Sequence, residues 1–138
     1  MNLAILYQEQ EQERREFSFR GLRFTEDQRR FYKALKEKII NRESRIFHPA
    51  ELKAPRRSGK TTVLLKLAEE FDLPLIAHNA IFARDLSRRY EGIRVIDARE
   101  TQNLRGSRYR SALVDEGVDL IYIDPSIHII TGINGRNW

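Results

Sequence analysis

From His48 onward the apolar segments of this chain alternate in type, and that alternation limits the folds open to it. "TTVLLKLAEEF" repeats apolar residues at helical spacing, "LPLIAHN" is a short apolar run, and "AIFARDLSRRY" is helical again with a stop at Gly92. "IRVIDA", "SALVDE" and "SIHIITG" are further short apolar runs. Such runs suit strands buried on both faces, the condition of a parallel sheet covered on both sides. Right-handed crossovers then collect the C-terminal strand ends along one edge, where ligands bind. The expected class is α/β.

Upstream, "TEDQRRFYKALKEKIINRE" predicts a helix capped by Thr25, with Glu26 and Asp27 in its first turn and Phe31, Leu35 and Ile39 on one face. "FSFRGLRF" alternates apolar and polar residues, as a short edge strand or extended entry segment would. "QEQEQERRE", Gln8 to Glu16, suits a solvated helix, or an arm that orders on a partner. The chain therefore divides into an N-terminal arm or helix over 1–22 and a single domain over 23–138.

"APRRSGKTT", Ala54 to Thr62, directly precedes the first helix of the alternating region. Its spacing is that of a phosphate-binding loop: a small residue, four residues, Gly-Lys, then Thr. Ala54 stands where the pattern has its first glycine, so the backbone there must accept a β-carbon. Each remaining residue has a chemical reason. Gly59 lets the backbone curl so that N–H groups point inward at oxygens. Lys60 reaches terminal phosphates, and the Thr61 hydroxyl ligates magnesium. The helix start adds the positive end of its dipole. Pro55, Arg56, Arg57, Ser58 and Thr62 complete the expected nucleotide-binding stretch. The competing explanation, a basic loop before an ordinary helix, leaves the strand–loop–helix context unexplained.

A triphosphatase of this kind also needs an acid at a neighbouring strand end to hold the metal shell, and a carboxylate beside it to polarise water. "ALVDE" supplies both, with Asp115 for magnesium and Glu116 as base. "DLIYIDP" offers a rival acid, Asp124; on that arrangement "YRSALVDEG" is a helix closed by Gly117. If Asp115 is the metal acid, "VDLIYIDP" is a short helical turn and "IHIITGIN" is the next strand.

Composition bounds the partners. The 138 residues are 41% hydrophobic and 33% charged, which suits one globular domain, and the net charge is +5. A pI near 9.7 favours a polyanionic partner such as DNA or RNA. The absence of cysteine removes disulfides, thiolate catalysis and Cys-ligated zinc, and fits a cytoplasmic location. No apolar run approaches membrane-spanning length, and the N-terminal stretch does not resemble a signal peptide. His48, His78 and His128 have no metal-ligand spacing. Arg84, Arg88 and Arg89 recur at helical spacing, as a nucleic-acid contact or a solvated basic face would.

"APRRSGKTT", "LRGSRYRSALVDEG" and "IITGIN", in that order, resemble the first three motifs of the RecA-like ATPase core of phage terminase large subunits and DNA helicases. The resemblance covers the chain from about Thr25 onward. It implies a three-layer RecA-like P-loop NTPase with a mostly parallel sheet of about five strands, a typical sheet size. It implies magnesium and ATP, with Lys60 and Thr61 on the phosphates and metal, Asp115 and Glu116 on metal and water, and Thr131 and Asn134 sensing the γ-phosphate. "FTEDQRRFY" resembles the glutamine motif of helicases, which implies that Gln28 makes two hydrogen bonds to the adenine edge; a surface glutamine is the competing explanation. Terminases add a nuclease domain and helicases a second lobe, and 138 residues are expected to hold neither. An arginine finger is then expected from a homo-oligomer or a larger motor protein, with Arg105, Arg108 and Arg136 as donors or recipients. If the chain is viral, its place is the host cytoplasm. A small-molecule or nucleoside kinase and a non-hydrolysing regulatory module remain the alternatives.

Overall fold

The computed structural model describes residues 2–53, 59–106 and 109–134. In chain order the elements are α1 (Leu3–Glu16), β1 (Ser18–Phe19), β2 (Leu22–Arg23), α2 (Glu26–Ile40), β3 (Arg45–Phe47), α3 (Lys60–Phe71), β4 (Leu75–Ala77), α4 (Ala80–Arg89), β5 (Val95–Asp97), β6 (Ser111–Val114) and β7 (Ile129–Ile133). Short 3-10 helices cover Pro49–Leu52, Ala98–Leu104 and Leu120–Tyr122. No helix among the described residues is long and apolar enough to cross a membrane.

The central sheet has five strands in the order β3-β7-β6-β4-β5, and all of its pairings are parallel. The route follows from crossover handedness. From β3 to β4 to β5 the chain moves in one direction, and both crossovers, α3 and α4, pack in the same hydrophobic core. After β5 it turns back through β6 to β7, so a right-handed connection must use the opposite face. That face carries the second core, in which Ala98 and Leu104 and Val118 and Ile123 pack on Ile76, Ile96, Ala112 and Val114. Period-two alternation divides each strand between the cores: Leu75 and Ala77 face one, and Ile76 faces the other.

Helix α2 forms where the pattern places it. Thr25 and Gln28 make a reciprocal capping box, and Phe31, Tyr32 and Leu35 are fully buried. Burying each contributes roughly 1.5–3 kcal/mol. The Tyr32 hydroxyl donates to Glu70 on α3 at 2.6 Å. Burial, together with that acidic partner, pushes its pKa up to about 12.

Two local expectations change. "FSFRGLRF" is an antiparallel hairpin apart from the main sheet, since Arg20 and Gly21 both take positive φ and turn the chain between β1 and β2. Its Phe19, and Phe17 before it, join the core beside α2 and α3, although both fall within the stretch read as an arm. Lys66 on α3 fastens this region by donating to the carbonyls of Arg15 at 3.1 Å and Ser18 at 2.8 Å. No residue of α1 itself is buried. The strand of the strand–loop–helix context stands well ahead of Gly59: β3 ends at Phe47, and Pro49, pre-set for helical φ and capped by His48, starts a 3-10 turn over Pro49–Leu52.

Gly132 is demanded by the sheet. A β-carbon there would lie 2.1 Å from the Val114 carbonyl oxygen, a backbone atom that cannot step aside. Gly132 pairs with Val114 in the β6–β7 register and with Ile46 on β3. Gly132→Ala is expected to destabilise the domain by about 1–3 kcal/mol, the usual cost of forced overpacking. Chemical denaturation of the two proteins checks this, and an unchanged midpoint would refute the packing argument.

Candidate functional site

The parallel sheet brings one end of every strand to a common edge. His48 after β3, His78 after β4, Asp115 after β6 and Asn134 after β7 all lie there. Gly59 begins α3 in the left-handed region at φ 80° and leads directly into Lys60 at the first helical position. The helix therefore opens toward this edge with its first-turn N–H groups. Ala54, Pro55, Arg56, Arg57 and Ser58 lie outside the described residues.

Residues far apart in sequence meet here. The Thr61 hydroxyl donates to Asp115, 3.0 Å from Oδ2 and 3.3 Å from Oδ1. The Lys60 ammonium lies 3.3 Å from Glu116 Oε2, in an ion pair whose side chains are 6% and 48% exposed. Asp115 is itself buried, and its backbone N–H donates to the Ile76 carbonyl at 3.0 Å, holding the β6 end against β4. Burial raises the Asp115 pKa, opposed by hydrogen bonds from the Glu116 N–H and the Thr61 hydroxyl. Glu116 is directed at Lys60 on the solvent side. Thr62 is half-buried in the first turn of α3.

The rival acid sits elsewhere. Arg105 donates to Asp124 Oδ1 from Nε at 2.8 Å, and Ser126 donates to its Oδ2 from the backbone at 3.1 Å. The Arg105 guanidinium and the Ser126 hydroxyl hold the Asp124 carboxyl well below the usual carboxylate range. Leu120–Tyr122 is the short helical turn and Ile129–Ile133 the next strand, as the Asp115 assignment requires. Arg105, a candidate finger, is thus engaged by Asp124; Arg108 and Arg136 lie outside the described residues.

The two candidate sensors separate. Asn134 lies one residue beyond β7, between the strand that leads to the loop and the strand that leads to the acids. Its side-chain amide donates to the Val118 carbonyl at 2.7 Å, behind the Asp115–Glu116 turn. Thr131 is not brought to the edge. It pairs with Arg45 and Leu113, two residues before the strand end, and its hydroxyl donates to the Glu43 carbonyl at 2.9 Å. Gln28 reaches the loop in a way the sequence did not disclose, through Gly59: its Nε2 donates to the Gly59 carbonyl at 3.2 Å.

Arg84 and Arg88 are both exposed on α4. With His78, Ile81, Phe82 and the acidic Asp85 they line a groove of about 510 Å³ that runs along that helix. Arg89 is held by Asp85 at 2.7 Å.

Magnesium fits the donor set. A hydroxyl and a carboxylate are hard oxygen ligands, and a cation beside Asp115 would favour the ionised form that burial opposes. Among the described residues no group of three or more His, Cys, Asp or Glu is suited to a metal. An ion here would take its remaining ligands from water and phosphate, as magnesium does. Comparison with protein-family models, with curated proteins and with solved structures gives no match to this chain.

Proposed function

We propose that this chain is a RecA-like P-loop nucleoside triphosphatase core that binds ATP with magnesium and hydrolyses it in the handling of nucleic acid. The observation that carries the reading is the meeting of Thr61 with Asp115 and of Lys60 with Glu116, across two elements at one sheet edge. Lys60 and the opening of α3 bind the terminal phosphates. Thr61 and Asp115 would hold magnesium, which when bound would supply charge neutralisation at the phosphates. Glu116, half-exposed, accepts a proton from the attacking water. Asn134, one residue beyond the intervening strand β7, senses the γ-phosphate. The order β3-β7-β6, with one strand between the loop strand and the acid strand, suits this division of labour.

The nucleic-acid half of the reading rests on the net charge of +5 and on the α4 groove, which adjoins the site through His78. Phosphate contacts release counterions, so affinity for DNA is expected to fall with salt by a log–log slope of about 0.9 per neutralised phosphate. Turnover of MgATP, measured with and without DNA and with magnesium removed by EDTA, tests the function. Magnesium-dependent turnover supports it, and no nucleotide binding refutes it. Replacing Arg84 and Arg88 by alanine should weaken DNA binding at every sequence alike and flatten the slope, with DNA-free turnover unchanged. Unaltered DNA titrations would remove α4 from the interface.

A further inference from the structure

Two side chains of α2 bond to the backbone on either side of residues 54–58. Ahead of the loop, Arg30 donates from Nε to the Leu52 carbonyl at 3.0 Å and from its terminal nitrogen to the Lys53 carbonyl at 3.3 Å. At Gly59, within the loop, Gln28 donates to the backbone carbonyl at 3.2 Å. The Gln28 amide is spent on two backbone groups of fixed polarity. Its Oε1 accepts from the Thr25 N–H at 2.9 Å, and its Nε2 faces a carbonyl. Reversing the amide would set acceptor against acceptor and donor against donor, so this orientation is the only complementary one. The fit at Gly59 is also steric: a β-carbon there would lie 2.1 Å from Gln28 Nε2. Gly59 is needed both for its left-handed backbone and for this approach.

We infer that Gln28 is a positioning residue of the phosphate loop and does not read the nucleotide base. The inference rests on the proposed triphosphate site. Gln28 holds the carbonyl of Gly59, the residue whose left-handed turn aims Lys60 and the first N–H groups of α3. Binding energy gained through Gln28 is therefore gained on the phosphates, whatever base they carry. The substrate class to which it contributes is any nucleoside triphosphate, and inorganic triphosphate equally. A glutamine that reads adenine would instead present its amide to the base, with a donor and an acceptor free for the adenine edge.

The test compares binding of MgATP, MgGTP and magnesium tripolyphosphate to three proteins by calorimetry: wild type, Gln28→Met and Thr25→Ala. Methionine keeps the volume and removes the donor without adding charge. Thr25→Ala removes the other half of the capping box, the bond from the Gln28 N–H to the Thr25 hydroxyl, and leaves the Gly59 contact, so it reports the cost of a weakened helix start. Gln28→Met is expected to weaken all three ligands by a common factor of about 5–10, the worth of one hydrogen bond, while Thr25→Ala leaves the three affinities unchanged. Selective loss of MgATP would overturn the inference in favour of base reading. No loss for any ligand, or an equal loss in Thr25→Ala, would also overturn it. If the wild type binds none of the three, the triphosphatase reading itself has failed, an outcome distinct from the others.

Discussion

Glu116→Gln is expected to leave MgATP bound and to cut its turnover by roughly 10²–10⁴-fold, the range ascribed to a positioned general base. The amide keeps the size and one oxygen of the carboxylate but cannot take a proton. Binding should not suffer. Glu116 is the ion-pair partner of Lys60, so the substitution removes a competitor for the ammonium that a triphosphate must engage. The affinity for MgATP is expected to hold or to rise. Asp124→Asn serves as the control, since that carboxylate is held by Arg105 and Ser126 away from Thr61. Single-turnover hydrolysis and equilibrium binding, measured side by side, decide the matter. Turnover within about threefold of wild type would place the base elsewhere, and magnesium-dependent binding lost in Asp124→Asn would move the metal site.

Why Asp115 meets Thr61 and Asp124 does not is a matter of tertiary register. Both acids follow apolar runs, and the one local difference, Glu116 beside Asp115, does not fix where either acid lies in the fold. The difference appears when β6 pairs with both β4 and β7, which places Asp115 at the sheet edge beside the start of α3. The alternation of apolar runs and amphipathic helices was legible because parallel strands must be apolar on both sides. The hairpin was half legible. Its period-two pattern is real, but the Arg20–Gly21 turn splits it into two strands of two residues. The 3-10 segment Ala98–Leu104 gave little periodic signal, and a residue such as Thr101 is buried there through bonds to the Ala98 and Tyr122 carbonyls. Thr131 shows the limit of a motif match. Strand geometry sets it on the level of Leu113, where the Glu43 carbonyl takes its hydroxyl.

Lys60→Ala is expected to lower MgATP affinity by about 10–150-fold, the equivalent of the roughly 1.5–3 kcal/mol that a hydrogen bond to a charged group contributes. The fold should survive. The Lys60 side chain is 6% exposed, yet its ammonium faces Glu116 rather than the apolar clusters, and alanine is a better helix former at that position. Removal of the ammonium also leaves Glu116 able to rehydrate. The melting temperature of the variant is therefore expected to equal or exceed that of wild type without nucleotide. Ligand changes the comparison. A ligand that binds only the native state at a hundred times its dissociation constant stabilises by about 2.7 kcal/mol. Saturating MgATP should accordingly raise the melting temperature of wild type, while the same concentration moves Lys60→Ala far less. Stability retained and ligand response lost would mark Lys60 as a buried charge kept for phosphate. An equal MgATP-induced shift in both proteins would strip the loop of that role.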